Sequence, residues 1–388
     1  MALVSTDVYA TTDFENTAVD HDSVEISLLT CAPGQEVYSL YGHTAIRVNY
    51  KSNSGFAHQD YAVNYGMFSF RKPFFILRFI FGLTDYEMGI MPFYAFSEEY
   101  GYSGRRVIEQ TLNLTAKEKA VILAAIARNY QPENREYRYN YFYDNCTTRA
   151  RDIIVNNIDG KVDYGDTLKT YPSYRKLIHE MNENERWARL GNDLLLGVKA
   201  DKKTDVSEHQ FLPFNLMHDF AKAKIVGADG RVRLLVSKTN VVVDASPVKV
   251  DDGFPLTPAM CGYVLLAVIV VLTILEWRLK RNFWLLDTLL LVFTGIAGII
   301  IFLMLFSEHP TTSTNLQILI LNPLPLVFIW RVVKRMRNMR YDSFWLYAEV
   351  LIILFIICGI WQDYADGMYA LALSLLVRSR RRLLKYKK

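Results

Sequence analysis

A chain of 388 residues is long enough for two or more domains, and its net charge of +4 is small for that length. Lys and Arg are placed unevenly, because they collect in clusters between the apolar runs of the last quarter of the chain. The first 250 residues contain no basic stretch typical of a nucleic-acid surface, so no nucleic-acid partner is expected. The 24 Tyr and 22 Phe residues are typical of a protein at a membrane–water boundary.

Residues 1–23 predict the remnant of a secretory signal followed by a flexible lead-in. A short apolar stretch precedes Val8-Tyr9-Ala10, which has the small-residue character of a cleavage site, and a polar, acidic run follows. A basic region and a full apolar region are not present before that site. A simple disordered start is therefore an equal interpretation of these residues.

Residues 24–253 predict one extracytoplasmic α+β domain. Alternating apolar residues mark strands, and capping residues ahead of a helical period mark helices. These signals place strands at residues 24–31, 43–50, 60–70 and 105–114, a hairpin at 231–250, and helices at 115–129, from Cys146, at 173–182 and from about residue 211.

Residues 73–96 are unusually apolar and aromatic. Arg78, Asp85 and Glu87 exclude a clean membrane span within this stretch. We interpret it as an amphipathic, lipid-contacting element. Burial in the domain core is an equally good interpretation.

His43 follows a glycine and begins the predicted strand 43–50, which forms an antiparallel hairpin with the strand 60–70. At the end of this hairpin the imidazole can face a cleft, opposite Asn64 and Tyr65. A hydrogen-bonded structural histidine is the commoner case, but the other extramembrane histidines lack this setting. We predict His43 as a catalytic base, Asn64 as the group that orients its ring, and Tyr65 as a supporting residue. For Asn64, a strand residue that caps a turn is about as common.

An aromatic run ends at Asp144-Asn145, and a helical pattern begins at Cys146. Asp and Asn both favour the N-cap position of a helix. Free backbone N–H groups and the positive end of the helix dipole there favour thiolate over thiol. We therefore predict Cys146 as a nucleophile with His43 as its base, and Asn145 with backbone N–H groups as the stabiliser of an oxyanion.

Arg149 and Asp152 lie further along the same predicted helix, with Arg151 between them. We predict that they support the site, either as an ion-pair lock on the helix or by binding a phosphate through arginine. Ion pairing within the fold is the commoner outcome for such residues.

The four cysteines do not form a metal motif. Cys261 and Cys358 lie in apolar segments, and no CxxC pair or Cys/His spacing is present, so no metal or other cofactor is expected. Cys31 and Cys146 could pair as a disulfide in an oxidising compartment. The ordinary strand-like setting of Cys31 disfavours that pairing.

Residues 254–388 predict a helical membrane domain. Basic clusters follow the first, third and fifth of its apolar runs, and the two remaining loops carry no Lys or Arg. By the positive-inside rule, residues 1–255 are expected outside the cytoplasm and the C-terminus inside it. Five spans of a bilayer core of roughly 30 Å are predicted, at residues 260–277, 283–306, 316–331, 344–361 and 365–378.

The two loops without basic residues are expected on the same side as the N-terminal domain. Their polar side chains could position a lipid headgroup or an acceptor amine, although an ordinary polar loop end is the commoner role for any one of them. The candidates are Glu308, His309, Asn315, Gln362 and Asp363.

The order of the two reactive residues, His43 on a strand and Cys146 later on a helix, is the reverse of papain. The pairs Gly42-His43 and Asn145-Cys146 resemble the motifs of the circularly permuted NlpC/P60 group, which includes lecithin:retinol acyltransferase. That resemblance implies a permuted papain-like fold. It also implies a thioester between the cysteine and an acyl chain taken from a phospholipid.

Longer segments resemble a family of Bacteroides and relatives, the Lnb-type lipoprotein N-acyltransferases, which combine a periplasmic and a membrane domain. These segments are YGHTAIRV, VNYGMFSF, YRYNYFYDNCTTRARDI, FLPFNL, SEHPTTSTN and LNPLPL. The resemblance implies a multi-pass protein of the bacterial inner membrane. It implies that Cys146 takes an acyl chain from a phospholipid and passes it, through an acyl-enzyme, to the α-amine of the diacylglyceryl-cysteine of an apolipoprotein.

Three other interpretations stay open. A peptidoglycan-cleaving NlpC/P60-like cysteine peptidase would use the same two residues, although a cell-wall hydrolase needs only a membrane tether. A membrane scaffold would carry a structural cysteine. An acyltransferase could also move an acyl chain from the lipoprotein's own glycerol instead of from a phospholipid.

Overall fold

The computed structural model describes residues 21–51, 59–68, 74, 78, 81–165, 170–245 and 254–386. The chain divides into two compact units. Unit 1 is formed by Met1–Pro172 and Lys203–Asp251, and unit 2 by Ser173–Lys202 and Asp252–Lys388. Residues 1–20 of the predicted signal remnant and lead-in lie outside the described residues. So do residues 73, 75–77 and 79–80 of the apolar stretch 73–96.

The regular elements are numbered here in chain order. The strands are β1 (Val24–Cys31), β2 (His43–Tyr50), β3 (Gln59–Met67), β4 (Asp85–Pro92), β5 (Val107–Leu112), β6 (Glu136–Arg138), β7 (Lys161–Asp163), β8 (Lys224–Val226), β9 (Val232–Leu234) and β10 (Val236–Val243). The helices are α1 (Phe93–Tyr102), α2 (Ala116–Tyr130), α3 (Cys146–Val155), α4 (Tyr174–Met181), α5 (Arg186–Leu195), α6 (Pro213–Lys222), α7 (Pro258–Arg278), α8 (Trp284–Met304), α9 (Leu324–Arg337), α10 (Phe344–Cys358) and α11 (Met368–Tyr386).

Unit 1 is built on a seven-stranded antiparallel sheet with the order β10-β5-β1-β2-β3-β4-β6. Successive side chains of a strand point to opposite faces, so the sheet supports two cores. On one face, Ile46 packs with Ile126 of α2 and Ile154 of α3. On the other face, Ala45 packs with Phe96 of α1. The predicted strands β1 and β2 and the hairpin of β2 with β3 are confirmed.

The described part of the stretch 73–96 belongs to this sheet and its covering helix. Residues 85–92 form β4, which pairs with β3 and β6, and α1 begins at Phe93. Tyr86 and Met88 are buried in the core that α2 and α3 cover. Core burial is therefore the correct interpretation of these residues, and the lipid-contacting one is wrong for them.

The hairpin predicted at residues 231–250 is also wrong. β9 pairs with β8 in a small second sheet, whereas β10 pairs with β5 at the edge of the large sheet. Leu235, which is fully buried, leads the chain from one sheet to the other. Its backbone N–H donates to the carbonyl oxygen of Ala223 at 2.9 Å, and its carbonyl oxygen accepts from the N–H of Asn113 at 2.8 Å.

Unit 2 contains the predicted membrane domain. Within the part of the chain that the structure describes, three segments are long and apolar enough to cross a membrane: Pro258–Arg278, Trp284–Met304 and Leu316–Arg337. The third segment combines a 3-10 turn at Leu316–Leu319 with α9, which starts after Pro323. The predicted fourth span contains the shorter apolar helix α10, and the fifth corresponds to α11, which begins at Met368 and continues to Tyr386.

Residues 173–202 belong to unit 2, although we predicted them as part of the N-terminal domain. The last carbonyl groups of α5 have no helical N–H partner. Asn315 donates to the carbonyl oxygen of Leu194 at 2.7 Å, and Gln362 donates to that of Leu196 at 3.0 Å. These buried amides attach α5 to the loops of the membrane region.

Two arginines of α11 are buried inside unit 2. Arg378 donates to Asp287 of α8 at 2.6 Å and to Glu276 of α7 at 2.8 Å. Arg382 donates to Asp287 at 2.6 Å. All four side chains are at most 1 % exposed. Arg378 and Arg382 belong to the last basic cluster, and they are paired within the helices.

Glu118 joins α2 to the rest of unit 1. Its carboxylate accepts the N–H of Thr115 at 2.8 Å in a capping box, and the N–H of Asp159 at 2.9 Å. Arg233 donates to the same carboxylate at 2.5 Å. The side chain of Glu118 is 1 % exposed, so these donors replace the water that it loses on folding.

Glu118→Ala is expected to destabilise α2 by about 2–4 kcal/mol, because it removes a cap and a buried charge-assisted pair. Hydrogen exchange of the α2 amides in the detergent-solubilised chain measures the loss. Glu133→Ala, at an exposed position after the same helix, should leave that exchange unchanged. Equal effects of the two substitutions would contradict this account of α2.

Candidate active site

Cys146 is the first residue of α3, and Asn145 is the N-cap that we predicted. The Asn145 side chain accepts the N–H groups of Thr147 and Thr148 at 2.8 and 2.9 Å. The hydroxyl of Thr148 accepts the N–H of Asn145 at 2.8 Å, which completes a capping box. The thiol is thereby held at the positive end of the helix dipole.

Asn145 cannot stabilise an oxyanion through its side chain, so that part of our prediction is wrong. Its amide nitrogen donates to the carbonyl oxygens of Tyr141 and Phe211, both at 2.9 Å. An amide has two N–H donors, and both are used inside the fold. The residue holds the helix start in place instead.

His43 begins β2, and its ring is hydrogen-bonded to Asn64 of β3 as we predicted. His43 Nε2 donates to Asn64 Oδ1 at 3.0 Å. Asn64 Nδ2 donates to the carbonyl oxygen of Ala62 at 3.3 Å, which turns Oδ1 towards the ring. With the proton on Nε2, Nδ1 is the nitrogen that is left to act as a base. The pairing of Ala45 with Asn64 puts His43 and Asn64 on the same face of the hairpin.

The pKa values of Cys146 and His43 shift in the directions that favour a thiolate–imidazolium pair. Burial alone would raise the pKa of the Cys146 thiol, but the charge and hydrogen bond of His43 lower it below its ordinary value. Burial alone would lower the pKa of His43, but the Cys146 thiolate and the hydrogen bonds to Cys146 and Asn64 raise it. Each group thus stabilises the charged form of the other.

Two threonines that sequence reasoning missed support the thiol. The hydroxyls of Thr44 and Thr147 are hydrogen-bonded at 3.0 Å, which ties β2 to α3. Thr147 Oγ1 lies 3.8 Å from Cys146 Sγ, and the N–H of Thr44 donates to the thiolate and lowers the pKa of Cys146 further. Each threonine directly follows a predicted catalytic residue. That adjacency is the one feature of the sequence that could have pointed to a role for them.

Gly66 lets β3 approach Cys146. Its φ is +80°, and the pairing of β3 with β4 shifts register between Asn64 and Met67, which marks a bulge. A Cβ atom placed on Gly66 would lie 3.4 Å from Cys146 Cβ, 3.4 Å from a ring carbon of Tyr139 and 3.8 Å from the hydroxyl of Tyr137. A glycine inside a strand pattern is a signal for such a bulge.

Three of the predicted supporting residues are structural. Tyr65 is buried in the core and accepts a hydrogen bond from Asn129 at 3.1 Å. Arg149 makes a two-point ion pair with Asp144 at 2.6 and 2.8 Å, which locks the start of α3. Asp152 lies about 9 Å along the helix axis from Cys146. Its carboxylate is half exposed and pairs with neighbouring Arg151.

The loop residues proposed to bind substrate lie in unit 2. Asn315 and Gln362 are buried, and their amide groups are used to hold residues 194–196 and the turn at Leu316, so the substrate-binding prediction is wrong for them. Glu308 and Asp363 are exposed, and His309 is half-buried.

The cysteines are all free, and burial raises the pKa of Cys31 to about 12. The Cys31–Cys146 disulfide considered from the sequence is therefore not formed. Among the residues that the structure describes, no group of three or more His, Cys, Asp or Glu side chains could hold a metal ion.

The fold and the site together define a class: a membrane protein whose extramembrane unit carries a Cys-His-Asn constellation at the start of a helix. Residues 10–180 match the family described as the Lnb N-terminal periplasmic domain, and residues 249–388 match the family described as the Lnb transmembrane domain. The chain belongs to the Lnb family, with a periplasmic N-terminal domain followed by a transmembrane domain. No curated protein and no solved structure matches it.

The shifted pKa values predict that Cys146 reacts with iodoacetamide at a lower pH than an ordinary cysteine, whose pKa is about 8.5. His43→Ala should raise the midpoint of the pH–rate profile, because burial then acts without an opposing imidazolium. Mass spectrometry of the labelled peptide restricts the measurement to Cys146. An unchanged midpoint in His43→Ala would disprove the ion pair.

Gly66→Ala is expected to cost about 1–2 kcal/mol, because a side chain at a φ of +80° is strained. Gly101→Ala is the matched control. Gly101 lies in α1, and a Cβ there would meet nothing within 4 Å, so that substitution should be neutral or slightly stabilising. Thermal unfolding of both variants in detergent measures the difference in their stability. Equal unfolding midpoints would contradict the predicted backbone strain at Gly66.

Proposed function

We propose that this Lnb-family protein is a lipoprotein N-acyltransferase that works through an acyl-enzyme on Cys146. The observation that carries the proposal is the partly buried Cys146–His43–Asn64 arrangement, in which the pKa of the thiol is lowered although desolvation opposes it. The presence of transmembrane helices in the same chain supports lipid substrates. A nucleophile fused to a membrane domain suits an acyl donor and an acceptor that are both anchored in a bilayer.

In the first half-reaction, the Cys146 thiolate attacks the carbonyl carbon of a phospholipid ester. The carbonyl electron pair moves to oxygen and returns as the bond to the glyceryl oxygen breaks. The imidazolium of His43 gives its proton to that leaving oxygen. The products are a Cys146 thioester and a lysophospholipid.

In the second half-reaction, the α-amine of a diacylglyceryl-cysteine attacks the thioester. Nδ1 of His43 takes the proton that the amine loses, the amide bond forms, and the C–S bond breaks to restore the thiolate. Asn64 keeps the other ring nitrogen occupied, so the same nitrogen acts as acid in the first step and as base in the second.

The proposal includes an architecture. Unit 1 has a permuted NlpC/P60 fold, which the strand position of His43 and the later helix position of Cys146 support. Five helices span the bacterial inner membrane, with α10 and α11 as the fourth and fifth spans and the C-terminus in the cytoplasm. Exposed Glu308 and Asp363, with His309, contact lipid headgroups or the acceptor amine at the periplasmic surface.

The decisive experiment mixes the full chain with phospholipid that carries a labelled acyl chain, without acceptor. We expect the mass of one labelled acyl group on Cys146. A diacylated lipoprotein peptide added afterwards should remove the label from the protein and become N-acylated.

Cys146→Ala should abolish the adduct, and Cys261→Ala is the matched control that should retain it. The absence of an adduct on the wild-type chain would refute the proposal. Cleavage of muropeptides without acylation would identify the peptidase instead. N-acylation without transfer of label from phospholipid would indicate a shift from the lipoprotein's own glycerol.

A further inference from the structure

The proposed acyl transfer requires a donor for the oxyanion that forms on the ester carbonyl oxygen. The Asn145 amide is fully used, as shown above. The first backbone N–H groups of a helix have no acceptor inside the helix. The Asn145 side chain accepts those of Thr147 and Thr148, so the N–H of Cys146 is one available donor. In acyl-transfer enzymes a second donor usually completes such a site.

Tyr137 of β6 carries a hydroxyl that the fold leaves unused. The side chain is 8 % exposed, and among the described residues its buried hydroxyl oxygen has no hydrogen-bond partner. Buried polar groups are normally paired, so an exception beside a reactive thiol needs an explanation. Burial and the nearby Cys146 thiolate raise the pKa of Tyr137 well above its usual range, so the phenol keeps the proton that a donor needs.

The hydroxyl of Tyr137 lies close to Gly66. The point where a Cβ of Gly66 would lie is 3.4 Å from Cys146 Cβ and 3.8 Å from the Tyr137 hydroxyl. The place of the missing side chain, which we call the Gly66 slot, is bordered by Cys146, by a ring carbon of Tyr139 at 3.4 Å and by the Tyr137 hydroxyl. The guanidinium of Arg149 lies over the Tyr137 ring at 3.5 Å from its centroid, which fixes the ring and strengthens the phenol as a donor.

We infer that Tyr137 is a further catalytic residue, whose hydroxyl donates a hydrogen bond to the oxyanion of both tetrahedral intermediates in the slot beside Gly66. This inference rests on the proposed acyl transfer. The Cys146 sulfur forms a bond to the carbonyl carbon, and the π electron pair moves to the carbonyl oxygen, which accepts from Tyr137. The pair then re-forms the C=O bond as the glyceryl oxygen leaves with a proton from His43, and Tyr137 keeps its own proton throughout.

Tyr141 is the competing candidate, because its hydroxyl is also buried without a partner among the described residues. Its ring packs against Tyr41, Phe142 and Phe211 instead of lining the Gly66 slot. The slot therefore favours Tyr137, and the two tyrosines are separated by substituting each one.

The test compares two reactions of Cys146 in the full chain in detergent micelles that contain phosphatidylethanolamine. Single-turnover formation of acyl-Cys146 passes through an oxyanion, whereas alkylation by iodoacetamide does not. Tyr137→Phe should lower the acylation rate about 100-fold. The alkylation rate and its pH profile should not change. Tyr130→Phe, at a tyrosine of similar burial on α2, should change neither rate.

Several outcomes would overturn the assignment: wild-type acylation in Tyr137→Phe, loss of alkylation together with acylation, or a loss confined to Tyr141→Phe. If Tyr137→Phe does not fold, 3-fluorotyrosine at position 137 keeps the ring and the hydroxyl. Its more acidic phenol should speed acylation, and an unchanged rate would overturn the assignment. A wild-type chain that forms no acyl adduct but is alkylated normally would refute the proposed function instead.

Discussion

The position of Cys146 depends on the side-chain amide of Asn145. A helix start leaves backbone N–H groups without partners, and in a buried position that deficit must be met inside the protein. The amide accepts two N–H groups of α3 and donates to carbonyl oxygens of Tyr141 and Phe211, which lie on two other segments. One side chain thus joins the aromatic run, the first turn of α3 and the turn before α6. Since Cys146 is the next residue, the position of its thiol is set by the side chain of a neighbour whose polar groups are all used inside the fold.

The charged forms of Cys146 and His43 are favoured because their contacts with each other and with their neighbours outweigh the desolvation of both groups. Desolvation opposes charge on both Cys146 and His43, and it would win if either group stood alone. The backbone N–H of Thr44 and the hydroxyl of Thr147 add donors to the thiolate, while Asn64 accepts the outer ring proton. In a site of low dielectric, each of these contacts is stronger than it would be in water. The partial burial of the site therefore makes its few polar contacts decisive.

Local signals predicted β1, β2, α2 and the start of α3, because alternation and capping depend on neighbouring residues. They also predicted the contact of His43 with Asn64, which follows from the register of one hairpin. The role of Asn145 was mistaken because one of its partners, Phe211, is 66 residues away in sequence. The association of residues 173–202 with the membrane region depends on amides that follow more than a hundred residues later. The place of Tyr137 beside Gly66 and Cys146 could not be predicted, because it depends on how β6 pairs with β4 and β4 with β3, and on where α3 packs.

The buried ion cluster of unit 2 imposes an order on biosynthesis. Glu276 and Asp287 lie on α7 and α8, and Arg378, which pairs with both, follows Asp287 by 91 residues. A carboxylate beside an apolar span is costly until a cation reaches it. The ribosome therefore releases two helices whose negative charges stay unbalanced until the last helix emerges. Assembly of these helices can be completed only after α11 has been synthesised, because only then does Asp287 gain its arginine partners.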